Sequence, residues 1–126
     1  MTPRQDELWG QLLAIPGMEE GESSWSDGPA LWVNGKQVAN FTTDGRLELR
    51  LTKPVIRALK ERLAEDKRID VRRSSDWVRI TVESAEQHDL IVELAEAAAA
   101  AHRPPPGVVP KPVPAGAGMA RRKRLH

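Results

Sequence analysis

Cysteine is absent from the 126 residues. That excludes disulfides, thiolate nucleophiles and cysteine-based zinc sites, and it sets the expectation of a reducing, cytoplasmic setting. Tyrosine is absent too, and Phe41 is the single phenylalanine, so four of the five aromatic residues are tryptophan. Histidine occurs only at His88, His102 and His126, with no pair at ligand spacing, so no metal is expected. No apolar run approaches the roughly 18 residues of a membrane span, and no span is expected. The start, Met1-Thr2-Pro3-Arg4-Gln5-Asp6-Glu7, lacks the charged-then-apolar layout of a signal peptide. No glycine-rich string lies between a strand and a helix, so a phosphate loop is not expected. Ser74 and Ser75 have no neighbouring base to activate them. The sequence nominates no catalytic residue and no cofactor.

What is present divides into two parts. All 18 acidic residues fall within residues 1–102, beside 13 of the 19 basic ones, a net charge of −5. Residues 103–126 carry no acid and six bases: Arg103, Lys111 and the run Arg121, Arg122, Lys123, Arg124. The expectation is one compact α+β domain over 1–102 and a proline-rich, basic, disordered tail over 103–126. With little apolar surface to bury, the tail is expected to stand free of the domain.

Within the domain, Thr2 is placed to cap a first helix, with Pro3 at its first turn and Gln5 in the capping-box position. Leu8, Trp9, Leu12 and Leu13 form its apolar stripe, and Pro16-Gly17 stops it. The polar stretch from Glu19 to Asp27, interrupted only by Trp25, reads as loop or irregular edge. Ala30–Val33 and Val38–Phe41 flank Asn34-Gly35, a type I′ hairpin signal, and Asp44-Gly45 repeats that chemistry. Arg46–Leu51 alternates, with Leu47, Leu49 and Leu51 on one face. Pro54–Glu65 reads as a helix. Ile69–Arg72 and Trp77–Val82 read as a second hairpin, and Ser84 with Gln87 caps a last helix running to Ala101. The order is α-β-β-β-α-β-β-α, a five-stranded antiparallel sheet with helices packed on one face.

Residues 25–100 resemble the small bacterial proteins of the luciferase-like domain family. The strings that carry the likeness are Pro29-Ala30-Leu31-Trp32-Val33-Asn34-Gly35-Lys36, Leu47-Glu48-Leu49-Arg50-Leu51-Thr52, and Ser75-Asp76-Trp77-Val78. The layout is also similar to that of MmcQ/YjbR-like proteins, which have a proposed DNA-binding role, and of the secretion-chaperone fold. The luciferase-like resemblance implies histidines on the second strand and before the tryptophan hairpin. Here Ala39-Asn40-Phe41 and Val71-Arg72-Arg73-Ser74-Ser75 stand in those places, so no catalytic role carries over.

The binding candidates are Trp32, Trp77, Arg46, Arg50 and Arg79. Alternation sets Trp77 and Arg79 opposite Val78 and Ile80, so an uncovered sheet face would present an aromatic–arginine surface. Such a surface can stack a base, hold an anion or receive a peptide. The plainer reading is that the tryptophans cap the sheet while arginine stems cover apolar area. The first functional expectation is a non-catalytic interaction module for an unknown protein or small ligand. The second is weak, sequence-independent nucleic-acid contact through Arg121–Arg124. The third is a small enzyme of unrecognised type.

Overall fold

Asn34 and Gly35 both hold positive φ, 52° and 76°, as a type I′ turn requires. They join β2 (Pro29–Val33) to β3 (Lys36–Phe41). The computed structural model describes residues 3–25 and 27–114, apart from the side chain of Arg4. The Thr2 cap of α1 (Pro3–Leu13) therefore lies outside the described residues. β3 turns into β4 (Arg46–Arg50) through Thr42–Gly45, closed by the Gly45 N–H on the Thr42 carbonyl at 3.0 Å. Only Gly45, at φ 82°, is left-handed there. Asp44 is not, so Asp44-Gly45 does not repeat the type I′ turn; the Asp44 carboxylate instead accepts the Thr42 hydroxyl.

Among the described residues the sheet has six strands, not five, and is antiparallel throughout, in the order β1-β2-β3-β4-β6-β5. The additional strand is β1 (Glu19–Glu22), in the stretch expected to be loop. Its residues pair with β2 from Glu19↔Trp32 to Glu22↔Pro29. An edge strand is held by backbone pairing, and its charged side chains guard the open edge, so it need not show apolar alternation. β5 (Ile69–Val71) is short and ends the sheet on the other side of β6 (Trp77–Thr81).

The expected helix over 54–65 is bent into α2 (Lys53–Ala58) and α3 (Lys60–Ala64). Leu59, at φ −101° and ψ 10°, leaves helical geometry for the bridge region. The Leu59 N–H still reaches the Val55 carbonyl, and the Leu63 N–H the Leu59 carbonyl, both at 2.9 Å. The last helix starts as expected: the Ser84 N–H donates to Gln87 Oε1 at 3.0 Å in a complete capping box. A 3₁₀ turn (Ala85–Gln87) leads into α4 (His88–His102).

The helices share one core with one sheet face. Leu8 and Leu12 of α1, Leu63 of α3, and Ile91, Leu94 and Ala98 of α4 join Leu47, Leu49, Val78 and Ile80. Each large aliphatic side chain buried there stabilises the fold by roughly 1.5–3 kcal/mol. The helices thus pack on this face of the sheet.

Residues 103–114 form neither helix nor strand. They turn at Pro105–Val108, where the Val108 N–H meets the Pro105 carbonyl at 3.1 Å and Gly107 has φ 84°. Pro106 followed by a left-handed glycine is type II turn chemistry. This segment does not stand free of the domain. Arg103 Nε donates to the Pro16 carbonyl at 3.0 Å, and the Lys111 N–H to Asn34 Oδ1 at 2.8 Å. The Pro16 carbonyl after α1 and the Asn34 side chain of the β2–β3 turn supply these polar anchors. Arg121, Arg122, Lys123 and Arg124 lie outside the described residues. Among the described residues, no helix is long and apolar enough to cross a membrane.

Candidate binding site on the second sheet face

Strand alternation fixes which side chains avoid the core. Opposite Leu47, Leu49, Val78 and Ile80 stand Arg46, Glu48 and Arg50 of β4 and Trp77, Arg79 and Thr81 of β6. The register sets Glu48 beside Arg79 and Arg50 beside Trp77. Asp70 of β5 pairs with Arg79 on its other side, and Asn40 of β3 pairs with Glu48. The β2–β3 register shifts between Leu31 and Trp32, leaving Val38 as an extra residue on β3. This bulge brings Gln37 round beside Asn40, as bulges re-aim side chains.

A chain of hydrogen bonds then runs from the loop after β1 through β3 and β4 to β6. The Ser24 N–H donates to Gln37 Oε1 at 2.8 Å, and Gln37 Nε2 donates to Ser23 Oγ at 3.1 Å and Asn40 Oδ1 at 3.2 Å. Asn40 Nδ2 donates to Glu48 Oε1 at 3.0 Å, and Arg79 Nη2 to Glu48 Oε2 at 3.2 Å. Gln37 and Asn40 are buried, and buried amides hold position only when paired in this way.

The chain of bonds anchors the loop that carries Trp25. That residue is half exposed, and its ring stands 5.3 Å from that of Trp77 at 81°, an edge-on arrangement. Such pairs contribute about 0.5–1.5 kcal/mol beyond area burial. Beside them lies a concavity of about 260 Å³ lined by Trp25, Trp77, Glu48, Asp70, Arg72, Ser75, Val78 and Arg79.

The five nominated residues are therefore on one face but not in one site. Trp77 and Arg79 line the concavity. Trp32 is buried on β2, outside the helix-covered core, beneath the tail segment. Arg46 and Arg50 flank the concavity without lining it. Trp25 was missed. Its only signal was a lone tryptophan in a polar loop, because its partner Trp77 is distant in the chain.

The arginines do not form a free cationic surface. Arg79 meets Glu48 at 3.2 Å, Arg50 meets Asp76 at 3.7 Å, and Arg46 meets Asp44 at 3.4 Å. The Thr42 hydroxyl, with help from Arg46, holds the Asp44 carboxyl below its ordinary value, which keeps that partner ionised. The lining of the concavity is balanced in charge: Glu48 and Asp70 against Arg72 and Arg79. Among the described residues, no three histidine or acidic side chains are grouped to hold a metal ion. The arrangement offers two aromatic faces and both signs of charge within one shallow hollow. The chain matches no family model, no curated protein and no solved structure.

Proposed function

We propose that this protein is a non-catalytic α+β interaction module. In this reading the Trp25–Trp77 concavity receives a planar or aromatic side chain of a partner polypeptide. The observation that carries the proposal is the Trp25–Trp77 pair, held over a charge-balanced hollow by the hydrogen bonds from Ser24 to Arg79. Half-exposed tryptophan on a rigid support supplies contact area without the entropy cost of ordering it. With Arg79 paired to Glu48 and the lining neutral overall, the hollow favours a polypeptide over a polyanion, whose binding needs an excess of cations to displace counterions. The luciferase-like resemblance and a cytoplasmic location belong to the same proposal. Sequence-independent nucleic-acid contact through Arg121–Arg124 would be a separate property of the tail.

The test is selection from a displayed random peptide library against the wild-type chain and against Trp25→Ala. Sequences enriched on the wild type should share a planar side chain and lose at least about tenfold in affinity with Trp25→Ala, a hot-spot loss. Enrichment indifferent to Trp25→Ala, or no enrichment beside tight binding of duplex DNA to residues 1–103, would refute the proposal.

A further inference from the structure

The described part of the tail rounds the Asn34–Gly35 end of the sheet and comes down on β1 and β2. The Lys111 N–H is fixed to Asn34 Oδ1 at 2.8 Å. A side chain on Gly35 would stand 3.0 Å from Lys111 Cβ and 3.3 Å from the Pro112 carbonyl oxygen. A side chain on Gly21 would stand 2.7 Å from Val113 Cγ1 and 3.1 Å from Trp32 Nε1. Two glycines thus make the floor on which Lys111-Pro112-Val113 rests, with the Trp32 indole as one wall. The Trp32 Nε1–H is buried and has no hydrogen-bond acceptor among the described residues. A buried N–H left unpaired costs about 1–3 kcal/mol. Residues 103–114 of the tail therefore cover the groove without accepting from this buried donor.

We propose that the groove between Gly21, Trp32 and the Asn34–Gly35 turn is a docking site for a proline-rich segment of a partner protein. The chain's own residues 111–113 fill it in cis. An aromatic wall, a glycine floor and a free indole N–H suit an extended proline-flanked segment, which binds with little ordering cost and presents carbonyls on its surface. The partner's segment would place an apolar residue where Val113 sits and a carbonyl on Trp32 Nε1. The groove is distinct from the Trp25–Trp77 concavity, so either site can fail without the other.

The experiment is an NMR titration of the full chain with a synthetic peptide of residues 108–114, following the four indole N–H signals. In the wild type the tethered copy competes, and binding should be weak. In Val113→Asp the cis segment is displaced, and the peptide should bind about tenfold or more tighter, because the competent fraction rises. The Trp32 indole signal should move most. Gly21→Val should abolish binding. If that variant does not fold, Lys111→Pro, which deletes the N–H to Asn34, should bind more tightly than wild type. A folded Val113→Asp chain that binds no peptide, binds it no better than wild type, or shifts Trp25 or Trp77 instead of Trp32 would overturn the proposal.

Discussion

The rings of Trp25 and Trp77 stand 5.3 Å apart at 81°, one on the loop after β1 and the other at the start of β6. The contact folds the β1–β2 loop across the sheet face that the helices leave uncovered. It makes the concavity a product of both ends of the domain, and its geometry depends on the hydrogen-bonded amides beneath it.

Glu48 is the joint of that support. Its two carboxylate oxygens accept from Asn40 and Arg79, and its side chain is largely buried. Glu48→Ala should lower stability by about 1–3 kcal/mol, since it leaves a buried amide and a guanidinium unpaired. Glu48→Gln should cost less, because it keeps one acceptor for either neighbour. Urea unfolding of the two variants measures the difference, and equal losses would show that the carboxylate is not the joint.

Thr52 sits at φ 82° and ψ 153° between β4 and α2, a region of backbone space used almost only by glycine. Asp76 holds it there: the Asp76 carbonyl accepts the Thr52 N–H, and its carboxylate accepts the Lys53 N–H, both at 2.9 Å. The Thr52 side chain makes no cap hydrogen bond, so nothing of that kind is lost with it. Thr52→Gly should therefore raise stability by about 1 kcal/mol, strain relief outweighing the extra backbone entropy of glycine. A lower melting midpoint in Thr52→Gly would contradict the strain.

His102 gives the stability a pH dependence. Burial pushes its imidazole below the ordinary histidine value, and its Nδ1 lies 2.7 Å from the Ala98 carbonyl, so the neutral ring donates from Nδ1. The unfolded chain takes up that proton first, near pH 6.5. Stability from this group is full above that pH and is lost as the pH falls toward the folded value. Asp66 and Glu93 add a separate loss at lower pH, because Arg68 and Arg62 hold their carboxyls below the ordinary range. Their contribution is full above about pH 5, clear of the ordinary carboxyl range, and is lost as the pH falls through their folded values. Urea midpoints should decline from pH 7 to 5 in the wild type and decline less in His102→Gln.

Much of the fold was legible because it is written locally. Asn34-Gly35 demands its turn, Leu47, Leu49, Val78 and Ile80 demand a buried face, and Ser84 with Gln87 demands a helix start. β1 was illegible because Glu19-Glu20-Gly21-Glu22 is held by backbone pairing to β2. The bend at Leu59 carries no proline or glycine to announce it. The site was half legible: alternation put Trp77 and Arg79 on one face, but Trp25 joins them only through long-range contacts. Arg46, Arg50 and Arg79 read as a cationic patch until Asp44, Asp76 and Glu48 are seen beside them. The tail's hold on Asn34 is likewise a contact between distant residues.

The central claim is a charge-balanced aromatic site for a polypeptide, and calorimetric titration of the best selected peptide at low and high salt tests it most directly. Binding to the wild-type chain should change less than about threefold over a fourfold rise in salt, since no counterions are displaced. It should fall at least about tenfold in Trp25→Ala or Trp77→Ala at either salt. A steep loss of affinity with salt, with both tryptophan variants binding as the wild type does, would contradict the account.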